Sequence, residues 1–352
     1  MTSKRDKQQI GQRLLAAFRD AGAVEIAPDI LLPAETLLDL YGEDIRARAY
    51  VTQDPVRAEM MLRPDFTVPV VQAHMENGAE PARYCYLGEV FRKQDTAQPS
   101  PDNPRDNEYL QCGFELFSRH PGADAEVFAL FHRLLSPHRL SAETGDMGLV
   151  LDAVRGLPLS VARRDALLHH VWRPRRFQRL LARFSAPPAP RDFDDPDVPW
   201  TGLRTPDEMN ARIARLRADA AQPPLPAVWT DRLRRLLTLR APAPEAIAVL
   251  HGLAADMPAI ADATRRIEAR FDAIAALGID PADVLFDAAH GRTTMEYYDG
   301  FTFSFLAPHD GWPAVASGGR YDALTRVLGK GRAIPAIGGI IRPGLIAEME
   351  AA

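Results

Sequence analysis

The chain has 352 residues, of which 46% are hydrophobic and 25% charged, and its formal net charge is -5. This composition is ordinary for a soluble protein of one large domain or two smaller ones, and the acidic balance removes the usual electrostatic signature of nucleic-acid binding. Two cysteines, Cys85 and Cys112, are too few for a disulfide framework or a metal cluster. We expect buried free thiols, with a redox pair as the alternative.

The first residues and the lengths of the apolar runs indicate where the protein is located. The first residues, MTSKRDKQQI, are charged and lack the apolar core of a signal peptide. No run approaches the roughly 20 apolar residues that a membrane span requires. We therefore expect a cytoplasmic protein that does not interact with membranes.

The first elements along the chain are short. Residues 4–21 predict an amphipathic helix, with Ile10, Leu14 and Phe18 on one face. Two prolines in residues 24–40 favour a strand and a turn before a short helix. Residues 47–52 and 59–62 predict strands, and residues 67–75 predict a helix.

Residues 82–117 predict an antiparallel hairpin with an unusually long tip. Its two strands, 82–93 and 108–117, are rich in aromatic and branched residues. The loop from Gln94 to Asn107 is polar, and loops of that length inside a domain are usually functional or mobile. Because side chains alternate along a strand, Gln111 and Glu115 should share one face, and Arg92 lies on the neighbouring strand. This hairpin predicts a pocket for a molecule with a positive and a negative end.

Helices are predicted to dominate the middle of the chain. Residues 124–135 have a helical period, and the run MGLVLDA at residues 147–153 predicts a buried strand. Residues 154–277 predict a helical insertion whose arginines alternate with acidic residues. We interpret those arginines as solvated helix faces.

Strand signals return at residue 283. The Asp299-Gly300 pair predicts a hairpin turn, and Gly318-Gly319 predicts a turn before a helix that starts at Asp322. A strand over residues 333–341 and a helix over residues 344–349 close the chain. The predicted fold class is α/β (α+β), with a mainly antiparallel sheet flanked by helices. We predict a core domain of residues 1–153 and 278–352 and a helical insertion of residues 154–277.

Several motifs in order carry a family resemblance. LRPDFTVPV, YLGEVFRKQ and YLQCGFE, followed by YYDGFTFSF, SGGRYDAL and IPAIGGI, resemble the catalytic core of histidyl-tRNA synthetase, a class II aminoacyl-tRNA synthetase. The resemblance extends over nearly the whole chain and implies the class II synthetase fold.

The same motifs depart from the family where ATP would be bound. Thr293 occupies the place of the arginine in an RGLDYY-like motif, and Gln94 replaces the carboxylate of FRxE. Gly344 and Leu345 stand where a GLER-like run has glutamate and an ATP-contacting arginine; Arg342 comes three residues earlier. The chain ends where the family's anticodon-binding domain would follow. Losing two arginines would cost several kcal/mol of transition-state stabilisation.

A synthetase-like chain with these departures resembles the regulatory subunit of ATP phosphoribosyltransferase. That resemblance implies no catalytic residues, no cofactor and no metal. It implies a short-form catalytic subunit as partner, which the chain activates in the first step of histidine biosynthesis. It further implies histidine as the feedback effector, self-association as a dimer within a hetero-octamer, and no nucleic-acid partner.

The resemblance assigns a histidine-like pocket to seven residues: Asp65, Thr67, Arg92, Gln111, Glu115, Tyr297 and Tyr298. Other roles remain open for some of them. Thr67 could cap the following helix, and Arg92 could pair with Glu89 or Asp95. Tyr297 and Tyr298 belong to the predicted second hairpin, so their side chains should point to opposite faces, and at most one should line the pocket deeply while the other is a core residue.

Two other functions compete with regulation. A truncated, ATP-dependent amino-acid-activating enzyme would use the same pocket, although the missing arginines argue against it. A nucleic-acid-binding relic of a synthetase is disfavoured by the acidic charge balance.

Overall fold

The computed structural model describes residues 2–41, 48–93, 106–187, 202–292 and 297–351. Its helices are α1 (Lys4–Asp20), α2 (Ala34–Tyr41), α3 (Thr67–Asn77), α4 (Ala123–Leu135), α5 (Met147–Arg155), α6 (Val161–His169), α7 (Pro174–Ser185), α8 (Pro206–Ala220), α9 (Ala227–Leu237), α10 (Ala243–Asp256), α11 (Ala261–Ala276), α12 (Asp322–Leu328) and α13 (Pro343–Ala351). Its strands are β1 (Val24–Glu25), β2 (Leu31–Pro33), β3 (Val51–Asp54), β4 (Ala58–Leu62), β5 (Ala82–Phe91), β6 (Glu108–Phe117), β7 (Ser141–Asp146), β8 (Arg240–Pro242), β9 (Val284–Asp287), β10 (Phe301–Leu306), β11 (Ala316–Arg320) and β12 (Ala336–Ile341).

Nine of the described strands form one sheet in the order β1-β5-β6-β12-β11-β10-β7-β9-β8. Neighbours pair antiparallel except for β1 with β5 and β7 with β9, which are parallel. Strands β2, β4 and β3 form a small antiparallel sheet of their own. The expected α/β (α+β) fold, with a mainly antiparallel sheet flanked by helices, is confirmed.

Helices α1 and α4 pack against one face of the large sheet through aromatic rings. The Phe18 ring of α1 lies 5.4 Å from the Phe114 ring of β6 and 5.5 Å from the Phe131 ring of α4. Phe131 in turn lies 5.3 Å from Phe303 of β10. Burying rings of this size is a major source of stability. The opposite face of β6, which carries Gln111 and Glu115, does not contribute to this packing.

A buried ion network joins the predicted insertion to the sheet. Asp124 of α4 accepts hydrogen bonds from Arg270 Nε of α11 at 2.9 Å and from Arg320 Nη2 of β11 at 2.6 Å. Arg270 also pairs with Asp146 at 3.0 Å, and Arg320 with Asp322 at 3.1 Å. Burial alone would raise the pKa of Asp124, but the two guanidinium groups outweigh it and lower that pKa. Asp124 is therefore ionised and holds three elements together.

The prediction of a strand over residues 147–153 is wrong, because these residues form α5. The strand is the preceding segment, β7, and Asp146 at its end caps the helix by accepting a hydrogen bond from Leu149 N at 3.1 Å. Most α5 side chains are buried. A short helix buried nearly all round has the same continuous apolar pattern as a buried strand.

The Asp299-Gly300 hairpin is also wrong in the described residues. Residues 297–300 are not strand, and β10 pairs instead with β11 and β7. The Asp299 carboxylate accepts hydrogen bonds from Asp322 N and Ala323 N at 2.9 and 2.8 Å, at the start of α12. Asp299 thus caps the start of α12 from outside that helix. The other half of this predicted hairpin, residues 293–296, lies outside the described residues.

The predicted Gly318-Gly319 turn is wrong as well, since both glycines lie inside β11. The helix predicted from Asp322 is confirmed as α12, and the helices expected near residues 4–21, 67–75 and 124–135 are present as α1, α3 and α4. Between residues 154 and 277 the described residues form α6 to α11 together with β8, which pairs with β9 of the large sheet. The division into a core and an insertion stays a prediction.

Candidate functional site

The long hairpin carries the central residues of the candidate site. Strands β5 and β6 pair antiparallel, with Gly88 opposite Gln111 and Tyr84 opposite Glu115. Gln111 and Glu115 share a face because they are four residues apart on one strand. Phe114, on the other face, packs on the helices. The hairpin loop from residue 94 to residue 105, including Gln94 and Asp95, lies outside the described residues.

Glu115 is the centre of the site and is 0% exposed. Its Oε1 accepts hydrogen bonds from Thr67 Oγ1 at 3.1 Å and from Tyr86 Oη at 3.0 Å. Its Oε2 accepts one from Tyr321 Oη at 2.5 Å. Three hydroxyl donors from separate elements therefore satisfy a carboxylate that has no contact with solvent.

Gly338 of β12 makes room for this carboxylate. A Cβ atom at residue 338 would lie 1.5 Å from Glu115 Oε2, far inside the contact distance. The residue opposite Glu115 in the sheet must therefore be glycine. The same kind of close approach occurs at Gly113, where a Cβ atom would overlap the Tyr86 ring.

Burial changes the acidity of Glu115. Removal from water raises its pKa from 4.5 to about 7, although the hydrogen bonds from Tyr321, Tyr86 and Thr67 act in the opposite direction. The nearby Asp65 carboxylate contributes to the increase. The charge at the centre of the site therefore changes near neutral pH.

A stability measurement tests this shift. Because the pKa is higher in the folded chain than in the unfolded chain, the folded chain binds the proton more tightly. The tighter proton binding stabilises the folded chain by on the order of 3 kcal/mol. This contribution is fully present below the unfolded pKa of 4.5 and is lost as the pH rises through about 7. Equilibrium denaturation measures the free energies of unfolding of the wild type and Glu115→Gln at several pH values. As the pH rises from about 5 to about 8, the wild type should lose stability relative to the variant. Parallel pH curves would contradict the assigned shift.

Asp65 and Thr67 are both buried next to Glu115. Asp65 Oδ1 accepts a hydrogen bond from Val68 N at 3.3 Å at the start of α3, and Phe66 is the residue that precedes the helix. The Thr67 hydroxyl donates to Glu115, so Thr67 is not the helix cap that was left open as an alternative. These two residues bring α3 to the hairpin.

Tyr297 and Tyr298 lie on the same side of the site. Their ring centres are 4.9 Å apart, and the Tyr297 ring is 6.1 Å from that of Tyr321. The expectation of opposite faces is wrong because residues 297 and 298 do not belong to a strand. Burial raises the pKa of Tyr298, which is therefore a neutral hydroxyl. Tyr297 and Arg92 are partly exposed.

Arg92 and Gln111 lie farther along the hairpin. Arg92 Nε donates a hydrogen bond to the Pro64 carbonyl at 2.6 Å, which ties it to the segment before α3. Gln111 Nε2 donates to Tyr109 Oη at 3.4 Å. Gln111 is 2% exposed, and its Oε1 atom has no hydrogen-bond partner. A buried acceptor without a donor is unusual and indicates a place for a ligand or a water molecule.

The structure places Asp65, Thr67 and Tyr298 close to Glu115 and Tyr297 beside Tyr298. Arg92 and Gln111 lie farther along the hairpin. The structure also adds members that we did not predict. They are Tyr86, Tyr109, Tyr321, Gly338 and Arg342. Tyr86 and Tyr109 could have been found from strand alternation, since each shares a face with a predicted residue. Tyr321 follows the glycine pair inside a recognised motif, but its contact with Glu115 spans 206 residues.

Gly344 and Leu345 are the motif departures that fall within the described residues. Leu345, at the position of the expected ATP-binding arginine, is 4% exposed in α13. Arg292 precedes the Thr293 position, but its Nε donates to the Val171 carbonyl at 3.0 Å and its guanidinium lies 4.9 Å from the centre of the Phe177 ring. Arg292 is thus attached to the helical region after residue 154. Thr293 itself lies outside the described residues.

The residues that the structure describes contain neither a candidate metal cluster nor a membrane-spanning helix. No group of three or more His, Cys, Asp or Glu side chains is placed to hold a metal ion. No helix in those ranges is long and apolar enough to cross a membrane. Cys85 and Cys112 are buried free thiols, as expected, and burial raises the pKa of Cys85 to about 11.

Comparison with known proteins supports the family resemblance that the motifs carry. The histidyl-tRNA synthetase family model matches residues 2–192 and 209–343. A protein from Allorhizobium ampelinum named ATP phosphoribosyltransferase regulatory subunit is 31% identical, over 92% of this chain and 93% of its own length. A protein of the same name from Sinorhizobium medicae is 33% identical, again over 92% and 93%. The chain belongs to the ATP phosphoribosyltransferase regulatory subunit family.

Solved structures show the fold of this regulatory subunit family. A Bacillus halodurans structure, described as an ATP phosphoribosyltransferase regulatory subunit/histidyl-tRNA synthetase, has a TM-score of 0.71 at 21% identity and covers 99% of this chain and 81% of that one. Histidyl-tRNA synthetase from Nostoc sp. has a TM-score of 0.67 at 14% identity, covering 99% and 72%. At these identities the likeness concerns the fold alone.

Proposed function

We propose that this chain is the non-catalytic regulatory subunit of ATP phosphoribosyltransferase. It activates a short-form catalytic subunit in the first step of histidine biosynthesis and transmits feedback inhibition by histidine. The observation that carries the proposal is Leu345, a buried leucine where the synthetase resemblance expects the arginine that contacts ATP. Relatives named as regulatory subunits, at 31% and 33% identity, support it.

The site chemistry is compatible with histidine as the effector. Asp65 and Glu115 supply carboxylates for an ammonium or imidazolium group, Arg92 supplies a cation for a carboxylate, and the tyrosines supply walls for a ring. For regulation, histidine must bind two states of the assembly with different affinities. Calorimetry of the isolated chain and of the complex measures that difference directly.

Reconstitution with the partner is the test of the proposed function. The chain is mixed with a purified short-form ATP phosphoribosyltransferase, and complex formation is followed by calorimetry and light scattering. We expect a complex with the mass of a hetero-octamer, a higher rate of phosphoribosyl-ATP formation than for the catalytic subunit alone, and inhibition by histidine. Absence of binding together with an unchanged rate would refute the proposal.

The second candidate is an ATP-dependent amino-acid-activating enzyme, favoured by the assembled group around Glu115. It predicts histidine-dependent exchange of pyrophosphate into ATP by the chain alone. Removing one transition-state donor costs about 10²–10³ in rate, and the chain departs from the synthetase motifs at two arginines. We therefore expect no exchange above background. Measurable exchange would favour the enzyme over the regulatory subunit.

A further inference from the structure

The N-terminal end of α7 collects positive charge. Residues 166–191 contain no aspartate or glutamate, although the chain as a whole has a net charge of -5. Arg175 and Arg176 lie in the first turn of α7 and Arg179 in the next, and all three are exposed. A helix N-terminus is itself positive, and cations four residues apart on a helix repel each other. An anion bound at this end would offset both effects.

Arg292 adds a buried cation behind the same end of the helix. The residue is 5% exposed, and its Nε donates to the Val171 carbonyl at 3.0 Å, shortly before α7 begins. Its guanidinium lies 4.9 Å from the centre of the Phe177 ring, which belongs to the fourth residue of α7. Burial lowers the pKa of Arg292, and no carboxylate of the described residues counters that effect. A buried cation without an anionic partner is costly, so this place in the fold favours a bound anion.

The hydrogen-bonding groups at this place are donors that lack acceptors. Arg292 Nη2 has no hydrogen-bond partner; it lies on the same edge of the planar guanidinium as Nε and so faces the turn at residues 170–172 that leads into α7. In that turn, Trp172 Nε1 is also buried without a partner. No side chain caps α7, and the backbone N–H groups of Arg175 and Arg176 in its first turn have no intrahelical partner. A group that satisfies these donors carries negative charge and several acceptor oxygens.

We propose that the N-terminal end of α7, together with Arg292 and Trp172, is a phosphoryl-binding site. Arg292 Nη2, Trp172 Nε1 and the backbone N–H groups of the helix bind the oxygens, and the Arg175 and Arg176 side chains balance the charge from the exposed side. A phosphoryl group suits the site better than a carboxylate, because it has three terminal oxygens and up to two negative charges. The site is separate from the pocket around Glu115, and the inference does not depend on the proposed function.

Binding of small phosphates tests the site and identifies the source of the phosphoryl group. Calorimetry of the chain in a phosphate-free buffer of low ionic strength measures inorganic phosphate, adenosine 5′-monophosphate and adenosine. We expect the first two to bind and adenosine not to bind. Equal affinities for phosphate and the monophosphate would support free phosphate as the ligand, and tighter binding of the monophosphate would support a phosphate ester. The midpoint of thermal unfolding should rise with phosphate concentration, because the ligand binds only the folded chain.

Three variants assign the binding to these residues. Arg292→Met removes the buried charge and keeps a side chain that packs on Phe177. It should weaken phosphate binding about 10- to 100-fold and abolish the rise in the unfolding midpoint. Trp172→Phe keeps a ring and removes the Nε1 donor, which should weaken binding about fivefold. The double variant Arg175→Gln/Arg176→Gln should weaken it about tenfold, with a loss that shrinks as the salt concentration rises.

Arg215→Gln is the matched control, because Arg215 is an exposed arginine on α8 in the same helical region. It should bind phosphate as the wild type does. The proposal is overturned if the wild type does not bind phosphate at millimolar concentrations, or if Arg292→Met binds it as tightly as the wild type. If Arg292→Met does not fold, Trp172→Phe decides, and an unchanged affinity there overturns the proposal. Binding of single-stranded RNA through Arg175 and Arg176 without phosphate binding would overturn it as well. Histidine binding, measured on the same variants, should not change.

Discussion

Replacing Glu115 by glutamine should weaken histidine binding by about 1.5–3 kcal/mol, or roughly 10- to 150-fold. The substitution keeps the shape of the side chain and a hydrogen-bonding group near Thr67, Tyr86 and Tyr321, but removes the carboxylate's charge. A cationic group of the ligand then loses its electrostatic partner. Calorimetry of the isolated chain gives the affinity, and the histidine concentration for half-inhibition of the reconstituted complex should rise in parallel.

Glu143→Gln is the control for this experiment. Glu143 is also a buried carboxylate on the large sheet, but it pairs with Arg240 on the far side of β7. It should bind histidine as the wild type does. An unchanged affinity in Glu115→Gln, with histidine still inhibiting the complex, would place the effector site away from the hairpin, with the interface between subunits as the next site to test.

Replacing Asp124 by alanine should destabilise the fold by about 3–5 kcal/mol, because it removes the charge-assisted hydrogen bonds from Arg270 and Arg320 and leaves those buried N–H donors without an acceptor. Arg270 would keep its ion pair with Asp146, and Arg320 would keep its ion pair with Asp322. Equilibrium denaturation measures the free energy of unfolding. Because the pKa of Asp124 is lowered in the folded chain, its contribution is present above the unfolded pKa and is lost as the pH falls through the folded value.

Asp231→Ala provides the comparison for that variant. Asp231 and Arg234 form an exposed pair on α9, and such pairs contribute about 0–1 kcal/mol. Equal losses of stability in the two variants would mean that the network around Asp124 does not hold the helices to the sheet. A large loss in Asp124→Ala alone supports its role as the junction of α4, α11 and β11.

Much of the candidate site could be predicted because its parts are local in the chain. Gln111 and Glu115 share a face by strand alternation, and Arg92 follows the paired strand. The errors have a common physical origin. Residues 147–153 were assigned to a strand because a helix buried on nearly all sides loses its polar stripe. The Asp299-Gly300 turn was predicted from two residues, whereas Asp299 caps α12 through contacts that no local pattern contains.

The amino-acid sequence by itself determined the fold class, the order of the motifs and their departures at Thr293, Gly344 and Leu345. These properties reside in periodicity and in residue identity, which the chain carries without folding. Only the tertiary structure decided that Tyr321 donates to Glu115 and that Arg342 lies beside Tyr109. It also decided that residue 338 must lack a side chain. Those contacts join residues more than 200 positions apart, and the pairing of β6 with β12 and of β12 with β11 brings them together.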